Sequence, residues 1–300
     1  MSILENKVEN LEEGMKLREY LKTKMGISTR LIRSASIDKR IFVNDVAVKM
    51  NKVVNNSDVI KIDLQKKESQ DIVPEKMDID IVYEDEDILV VNKRPFMIVH
   101  PTKNHRSGTL SNGIINYFNE SKQNCIVRLV SRLDMNTSGL IIIAKNQFAH
   151  GMLSKEMTAN RVEKRYLAIA HGILKEKEGT IDEPIYRRED LENGRKRVVD
   201  ERGQRSITHY KVIEEYGDAS LVECKLETGR THQIRVHLNH LGHPIFGDTL
   251  YGDGDNEMEL IERQALHAYK LKFKSPRTGK IINLEAELPE DIKKLIKLLK

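Results

Sequence analysis

One acidic residue, Asp134, lies in a segment whose residue types could perform catalysis. It follows Arg132 by two positions and precedes a turn of Asn, Thr, Ser and Gly. The apolar run at residues 140–144 comes next and is typical of a buried strand. An ionised carboxylate placed before such a strand can act as a nucleophile or as a general base. Because the same residue types form ordinary turns, a purely structural aspartate is the competing interpretation.

Two further segments offer partners for this carboxylate. Tyr166 begins a strand-like run, although a tyrosine at a strand start is most often a half-buried packing residue. Arg230 follows a strand-like run at residues 221–226, and Thr231 is predicted to cap a helix that ends at Gly242. A cation beside a helix N-terminus attracts anions and favours the ionised form of a carboxylate.

Four histidines near Arg230 raise the alternative of a metal site: His232, His237, His240 and His243. His237 and His240 are about one helical turn apart, but the glutamate of the zincin pattern is absent and no cysteine is close. No glycine-rich loop of a nucleotide-binding type occurs in the sequence. We therefore predict no metal site and no cofactor, with a metal-dependent hydrolase as an open alternative.

The elements that must position these residues belong to a larger unit, predicted at residues 77–300. Strand-like runs at 79–83 and 88–91 are joined by an acidic turn, and a closing helix is predicted after Pro289. Strands and helices do not alternate regularly, as they would in a doubly wound parallel sheet. The sequence predicts an α+β fold with a mixed, mainly antiparallel sheet and packed helices.

A smaller basic unit precedes this body. The 300 residues carry 50 Lys+Arg and 46 Asp+Glu, a net charge of +4, but residues 13–67 alone hold 13 basic and 6 acidic residues. The pattern predicts two helices, the second capped by Ser28, and then short strands after Arg40. Residues 68–76 are mostly polar and are predicted to be a linker. Such charge asymmetry points to nucleic acid or an anionic surface.

Other features bear on the protein's environment. No apolar stretch reaches the ~20 residues needed to cross a bilayer, and the polar start lacks the pattern of a signal peptide. The two cysteines, Cys125 and Cys224, form neither a disulfide framework nor a closely spaced metal-binding pair. We expect a soluble, cytoplasmic monomer in a reducing compartment, without a membrane partner.

The basic unit resembles the small RNA-binding domain first recognised in ribosomal protein S-four. The shared pattern is a helix, then Ser-x-Arg opening a second helix, then Val-Asn-x-x-x-Val and Asp-Val-Ile. The resemblance implies a solvent face that binds RNA phosphates, where neutralised backbone charge releases counterions. The residues on that face are Arg30, Arg33, Lys39 and Arg40. Charge alone favours an ordinary solvated basic surface, and the resemblance reverses that interpretation.

The chain from about residue 78 to 299 resembles the RluA-type pseudouridine synthases, in the branch that includes RluD. Motifs in the family's order are "ILVVNKRPFMIVHP", "GTLSNGIINYF", "RLDMNTSGLIIIAKN", "EKRYLAIAHG", "ETGRTHQIRVHL", "GHPIFGDTLYG" and "LHAYKLKFKSPRTGK". The resemblance implies an isomerase that converts uridine in RNA to pseudouridine without a cofactor, with large-subunit ribosomal RNA or pre-ribosomal particles as the expected partner.

The resemblance also implies roles for four residues. Asp134 matches the family's catalytic aspartate, and Arg230 matches the arginine that pairs with it. Tyr166 matches the tyrosine that stacks on the target uracil and is a candidate late general base. Arg132 matches an arginine that, in some members, fills the space left by the flipped nucleotide.

Two departures from the family pattern occur. Ser131 replaces the family's common histidine, and Arg94-Pro95-Phe96 stands where Pro-x-Gly is usual. Two alternatives to the enzyme remain open at this stage. One is a non-catalytic RNA-binding or ribosome-assembly protein on the same scaffold. The other is a metal-dependent RNA hydrolase in which His237, His240 and a carboxylate converge.

Overall fold

The structure is a computed structural model that describes residues 2–65, 70–189 and 196–300. Its helices are α1 (Leu17–Thr23), α2 (Thr29–Ile37), α3 (Leu110–Glu120), α4 (Gln147–Thr158), α5 (Gln233–His240), α6 (Glu290–Leu299) and a short 3-10 helix at Gly254–Glu257. The first nine strands are β1 (Ile3–Lys7), β2 (Met15–Lys16), β3 (Ile41–Val43), β4 (Val46–Ala47), β5 (Val53–Val54), β6 (Val59–Asp63), β7 (Asp80–Glu84), β8 (Ile88–Lys93) and β9 (Arg128–Leu129). The others are β10 (Ser138–Ala144), β11 (Glu163–His171), β12 (Glu178–Asp182), β13 (Ile185–Arg187), β14 (Arg197–Val199), β15 (Ile207–Tyr216), β16 (Ala219–Leu226), β17 (Leu266–Lys274) and β18 (Ile281–Glu285).

The N-terminal unit packs α1 and α2 on an antiparallel sheet of order β1-β6-β3-β4. Ser28 caps α2 as predicted, since its Oγ accepts the N–H of Leu31 at 3.2 Å. Asn44 and Asp45 turn between β3 and β4 with φ of 51° and 65°, the backbone that tight hairpins favour. The unit begins earlier than predicted at residue 13, because β1 pairs along the whole length of β6.

Most of the predicted linker is part of the larger unit. Residues 66–69, where the linker was expected to begin, lie outside the described residues. The Gln70 side-chain amide exchanges two hydrogen bonds with the backbone of Val127, at 3.1 and 2.9 Å. Ile72 is buried in the apolar cluster beneath α3, and the Glu75 carboxylate accepts the Gly108 N–H. The polar composition of this segment therefore reflects hydrogen bonding to the body and not a free tether.

A ten-stranded sheet forms the larger unit, in the order β12-β15-β16-β11-β17-β10-β8-β7, with β18 on β17 and β9 on β10. Of its recorded pairings, β10 with β17 is parallel and the others are antiparallel. The α+β prediction with a mixed, mainly antiparallel sheet is confirmed. Within the described ranges, no helix is both long enough and apolar enough to cross a membrane.

The two-residue period of the central strands distributes the core between the faces of the sheet. Ile141 and Ile143 of β10 pack in the cluster that includes α3, whereas Leu140 and Ile142 pack in the cluster that includes α4. All of β10 is buried, which explains the uninterrupted apolar run in the sequence. The strand that follows Asp134 is therefore held from both faces.

The N-terminal unit is docked on this body. Phe148 of α4 is buried in the apolar cluster of the N-terminal unit. In the turn between β17 and β18, Arg277 binds the buried Asp87 carboxylate through Nε and Nη2, at 2.9 Å each, and donates to the Ile3 carbonyl at 2.5 Å. Lys155 of α4 donates to the Gly26 carbonyl at 2.6 Å. Apolar and polar contacts together fix the two units against each other.

Candidate active site

A cavity of about 1090 Å³ opens beside the loop that precedes β10. Arg132, Asp134, Tyr166 and Arg230, predicted from three separate segments, all line it. The walls come from that loop, from the start of β11 and from the connection between β16 and α5. Its volume is in the range of cavities that hold a ligand of nucleotide size.

Lys93 supports the loop that carries Asp134. It is 1% exposed, and its Nζ donates to the carbonyls of Arg94, Met97 and Met135 at 2.9, 3.0 and 2.9 Å. Burial lowers the pKa of Lys93 to about 7, while three carbonyl acceptors favour the ammonium form. The Met97 N–H also donates to the Met135 carbonyl, at 3.2 Å. The residue that follows Asp134 is thus bound twice.

Arg263 is a second support and is fully buried. Its Nη1 donates to the Asn136 carbonyl at 3.0 Å, and its Nε and Nη2 bind the Asp291 carboxylate at 2.6 and 2.9 Å. Asp291 lies in the first turn of α6. The C-terminal helix is therefore joined to the loop that carries Asp134 through one guanidinium.

The loop ends where β10 and β17 lie side by side. Gly139 has φ of +113°, and a Cβ there would come within 2.2 Å of the Ala268 carbonyl oxygen, so this close approach requires glycine. Ser138 Oγ lies 2.9 Å from Nδ1 of His267, and burial lowers the pKa of His267 to about 4. A neutral imidazole and a glycine contact fix the point at which the loop enters the strand.

The arginine that faces Asp134 is Arg235, not Arg230. Nη1 of Arg235 lies 3.5 Å from Oδ2 of Asp134, while Nε and Nη2 bind the buried Asp248 carboxylate at 2.7 Å each. Arg230 is exposed, and its Nε donates to the Arg205 carbonyl at 3.2 Å. The pairing expected for Arg230 is therefore wrong, although Arg230 remains at the edge of the cavity.

The conformation at the start of α5 explains why Arg235, and not Arg230, faces Asp134. The helix begins at Gln233 and not after a Thr231 cap, because the Gln233 side chain folds back to accept the N–H of Arg230 and the hydroxyl of Thr228. His232 takes a left-handed conformation with φ of 60°. This turn directs Arg230 outward and brings Arg235, in the first turn of the helix, towards the carboxylate.

Tyr166 is 9% exposed and lies where the register between β11 and β17 shifts. Burial raises the pKa of Tyr166, and the negative charge of Asp134 raises it further, so the phenol keeps its proton. Lys164, two residues earlier on the same side of the strand, also lines the cavity, and burial lowers its pKa. The site therefore combines a carboxylate, an aromatic ring and cations around one space.

The predicted RNA-binding cations differ in their surroundings. Arg30, Arg33 and Lys39 are exposed on or beside α2, and Arg132 is exposed at the cavity. Arg40 instead donates to the Asp63 carbonyl at 2.5 Å and contacts Ser34 and Asp38. Because its donors are committed within the N-terminal unit, the expectation that Arg40 binds phosphate is corrected.

The metal alternative meets a geometric obstacle. Both ring nitrogens of His237 have protein partners, Nδ1 with the Thr208 hydroxyl at 2.9 Å and Nε2 with the Glu183 carbonyl at 3.0 Å. Residues 2–65, 70–189 and 196–300 hold no group of three or more His, Cys, Asp or Glu side chains that could bind a metal ion. His237 and His240 therefore do not converge with a carboxylate there.

The sequence did not indicate Arg235 or Lys93, and it indicated His232 only as a possible metal ligand. Arg235 and His232 lie in the same motif as Arg230, and the signal for Arg235 was a cation inside a short helix with apolar neighbours. Its 7% exposure is the kind of burial that a charged side chain reaches only when it is paired. Lys93 carried a weaker signal, as a cation that ends a strand of four apolar residues and one asparagine.

Comparisons with known proteins agree on one family. Residues 87–240 match the family described as RNA pseudouridylate synthase. The chain is 42% identical over 266 residues to the uncharacterised RNA pseudouridine synthase YlyB of Bacillus subtilis, which covers 88% of this chain and 86% of that protein. It is 39% identical to ribosomal large subunit pseudouridine synthase D of Neisseria meningitidis, over 87% of this chain and 72% of the relative. The solved structure of human RNA pseudouridylate synthase domain containing 1 is 28% identical, with a TM-score of 0.58 over 74% of this chain and 94% of that chain.

Proposed function

The chain belongs to the RNA pseudouridylate synthase family, and from that membership we propose that it isomerises specific uridines of large-subunit ribosomal RNA, with Asp134 as the catalytic carboxylate. The observation that carries the proposal is the position of Asp134. Its carboxylate lies in a cavity, 3.5 Å from the Arg235 guanidinium and close enough to the buried Tyr166 to raise the pKa of that phenol.

The reaction needs little more than such a carboxylate. It breaks the bond between the ribose and a ring nitrogen of uracil, turns the base, and forms a bond to a ring carbon, whose proton then leaves as the nitrogen gains one. Atoms and electrons balance without a donor or an oxidant. The carboxylate can attack the anomeric carbon, attack the uracil ring, or remove the proton of the neighbouring ribose carbon to give a glycal. Each of these routes requires Asp134 to be ionised.

Arg235 is the cation that faces the Asp134 carboxylate, with Nη1 lying 3.5 Å from Oδ2. Because two of its nitrogens are held by Asp248, the guanidinium is oriented before RNA binds. Lys93 and Arg263 hold the backbone of the two residues after Asp134. The carboxylate is thus fixed by groups that need not move during the reaction, which is the condition for electrostatic preorganisation.

A uridine in structured RNA must leave its stack to reach Asp134, at a cost of a few kcal/mol. The Tyr166 ring lines the cavity and offers a surface on which the extruded uracil can stack. Arg132 is exposed at the same cavity and can occupy the space that the base leaves. Tyr166 would stabilise the extruded base, and Arg132 would stabilise the RNA that the base has left. Both contacts offset the cost of extrusion.

The cavity favours isomerisation over hydrolysis. A glycosidase uses a second carboxylic acid to protonate its leaving group and a water to complete the reaction. Among the described residues that line this cavity, Glu227 is the second carboxylate, and its Oε1 lies 2.7 Å from Nε2 of His209. A carboxylate engaged in this way is poorly suited to deliver a proton to the leaving base.

The N-terminal unit is the proposed RNA holder. Arg30, Arg33 and Lys39 present positive charge to solvent and can contact phosphates, which adds affinity with little sequence information. The ribosomal substrate is supported by relatives whose names refer to the large ribosomal subunit. Catalysis and RNA holding would then reside in separate, docked units.

The test is to incubate the purified full chain with unmodified large-subunit ribosomal RNA and to map pseudouridine at single-nucleotide resolution. Wild-type protein should form pseudouridine at discrete positions, and Asp134→Asn should form none while its RNA affinity stays within about twofold. Product from Asp134→Asn would exclude Asp134 as the catalytic group. Tight RNA binding by wild type without product would support a non-catalytic protein, and strand cleavage that a chelator abolishes would support the hydrolase.

A further inference from the structure

His232 approaches the catalytic carboxylate from the turn before α5. Its Nε2 lies 3.9 Å from Oδ2 of Asp134, and Nη1 of Arg235 lies 3.5 Å from the same oxygen. These separations exceed hydrogen-bond lengths, but contacts in free active sites often tighten when substrate binds. His232 has a left-handed backbone, with φ of 60°, a strained conformation of the kind found at functional sites, and it lines the cavity.

The other ring nitrogen has a partner that fixes the tautomer. Nδ1 of His232 lies 2.9 Å from the Tyr251 hydroxyl oxygen, which accepts the backbone N–H of Arg197 at 2.9 Å. Burial raises the pKa of Tyr251 to about 12, so the phenol keeps its proton. If that proton were not donated to Nδ1, the hydroxyl of a residue that is only 7% exposed would leave its hydrogen bond unmade. Nδ1 therefore accepts, and the ring proton is on Nε2.

The groups around the ring keep it neutral. It faces Asp134 from the catalytic loop, Arg235 from its own helix, Arg197 from β14, and Asp248 from the connection that follows α5. Burial is the largest influence and lowers the pKa of His232; the two arginines lower it further and the two carboxylates oppose them. At neutral pH the ring presents an uncharged N–H to the carboxylate.

We propose that His232 is a positioning residue that holds Oδ2 of Asp134 through a neutral Nε2–H, so that Oδ1 faces the reacting uridine. The inference rests on the proposed role of Asp134. It assigns the two oxygens different tasks, since His232 and Arg235 converge on one of them. Tyr251 acts one step further away by setting the tautomer.

A neutral donor suits this position better than a second cation. Ionic hydrogen bonds are about twice as strong as neutral ones, and another full positive charge beside Arg235 would make the carboxylate a weaker nucleophile and a weaker base. An N–H group restricts rotation of the carboxylate at a smaller cost in reactivity. The geometry therefore places one cation, Arg235, and one neutral N–H donor, His232, beside the same carboxylate oxygen.

The test compares His232→Ala, His232→Gln and His240→Ala by steady-state kinetics on a large-subunit ribosomal RNA fragment. His232→Ala should lower kcat by about 10- to 100-fold and leave KM within about twofold, because the interaction acts on the carboxylate and not on RNA binding. His232→Gln retains an N–H near the Nε2 position and should recover to within about fivefold of wild type. His240 is exposed at the far end of α5, so His240→Ala is the matched control and should match wild type.

A second measurement does not depend on a truncated side chain. Nitrogen-15 NMR of the imidazole in the full chain should show His232 as the neutral Nε2–H tautomer at neutral pH, and Tyr251→Phe should disturb that tautomer. Adding Tyr251→Phe to His232→Ala should cause no further loss of kcat, since the two residues act as one chain.

Several results would overturn the inference. They are a His232→Ala enzyme with kcat within twofold of wild type, a His232→Gln enzyme as impaired as the alanine variant at equal melting temperature, or an Nδ1–H tautomer in the wild-type protein. A wild-type protein that makes no pseudouridine would instead overturn the proposed function, while the NMR result would still report on the geometry.

Discussion

Nη1 of Arg235 lies 3.5 Å from Oδ2 of Asp134, and the rest of the Arg235 guanidinium is bound by a second carboxylate, that of Asp248. Asp248 has no exposed surface and also accepts backbone N–H groups from the connection that follows α5. Asp248 therefore orients the arginine, and Nη1 of Arg235 faces Asp134, the proposed catalytic carboxylate.

Arg235→Lys should separate charge from orientation. Lysine keeps the positive charge but cannot bind Asp248 through two parallel N–H groups, so kcat should fall by roughly 100-fold. Arg230→Ala is the comparison, because Arg230 lies at the cavity edge without facing Asp134. It should raise KM more than it lowers kcat, with a total loss in kcat/KM below about tenfold. Equal losses of kcat in the two variants would restore Arg230 as the partner of Asp134.

Asp291→Ala should weaken the support of the loop that carries Asp134, because Asp291 acts on that loop through Arg263. It leaves the fully buried Arg263 without its ion-pair partner, and because Asp291 is partly exposed we expect a loss of about 2 to 3 kcal/mol in the free energy of unfolding. The Asn136 carbonyl is held by the same guanidinium, so kcat should fall while KM changes little.

Urea denaturation and kinetics on the same preparations would measure both effects. Glu290→Ala, one residue earlier and exposed, should cost less than about 0.5 kcal/mol and leave kcat unchanged. If Asp291→Ala and Glu290→Ala had the same free energy of unfolding and the same kcat, the contact between α6 and the loop would contribute neither to stability nor to catalysis.

The sequence predicted those parts of the fold that depend on neighbours in the chain. The apolar run at residues 140–144 and the Ser28 cap were read correctly, because strand burial and capping leave local patterns. The position of Arg235 depends instead on Gln233 folding back onto Arg230 and on a buried partner, Asp248, thirteen residues later. Pairing of this kind follows from tertiary packing and leaves no periodic signal.

The N-terminal boundary was misplaced for a similar reason. Residues 1–12 carry more acidic than basic charge, which separated them from the basic unit in composition. The β1 strand nevertheless completes the small sheet through backbone hydrogen bonds with β6, and the Glu5 carboxylate of β1 lies 3.7 Å from Nζ of Lys61 on β6. Asp134 and Tyr166 were placed in one site because the family resemblance supplied the long-range information that spacing could not.

His267 predicts a pH dependence of stability. Its pKa is about 4 in the folded protein and 6.5 when unperturbed, so between these values the unfolded chain binds a proton that the folded chain does not. Its contribution to stability is complete above about pH 6.5 and is lost as pH falls towards 4, with a slope of up to ~1.4 kcal/mol per pH unit.

His267→Asn should reduce that slope while keeping a polar partner for Ser138. Denaturation curves at several pH values between 4 and 7 would measure it, with the exposed His240→Asn as the control. An unchanged slope in His267→Asn would show that this imidazole is not the group that titrates.

The N-terminal cations predict a salt dependence of RNA binding. Replacing Arg30, Arg33 and Lys39 by glutamine should reduce the slope of log affinity against log salt concentration by about 2 to 3, one for each lost phosphate contact. Arg40→Gln should lower stability instead and leave the slope unchanged, because Arg40 donates within its own unit. Titrations at several salt concentrations would distinguish the two, and a triple variant with the wild-type slope would remove α2 from RNA binding.

The docking of the N-terminal unit by Phe148, Arg277 and Lys155 has a consequence for the substrate. Because the two units are docked, the distance between the cations of α2 and the carboxylate of Asp134 is fixed by the protein. If α2 binds phosphates and Asp134 acts on an extruded uridine, as proposed, an RNA fits only if its own folding places a phosphate-rich surface and that uridine at this separation. The enzyme would then select its target by the shape of the RNA, before it makes any base-specific contact.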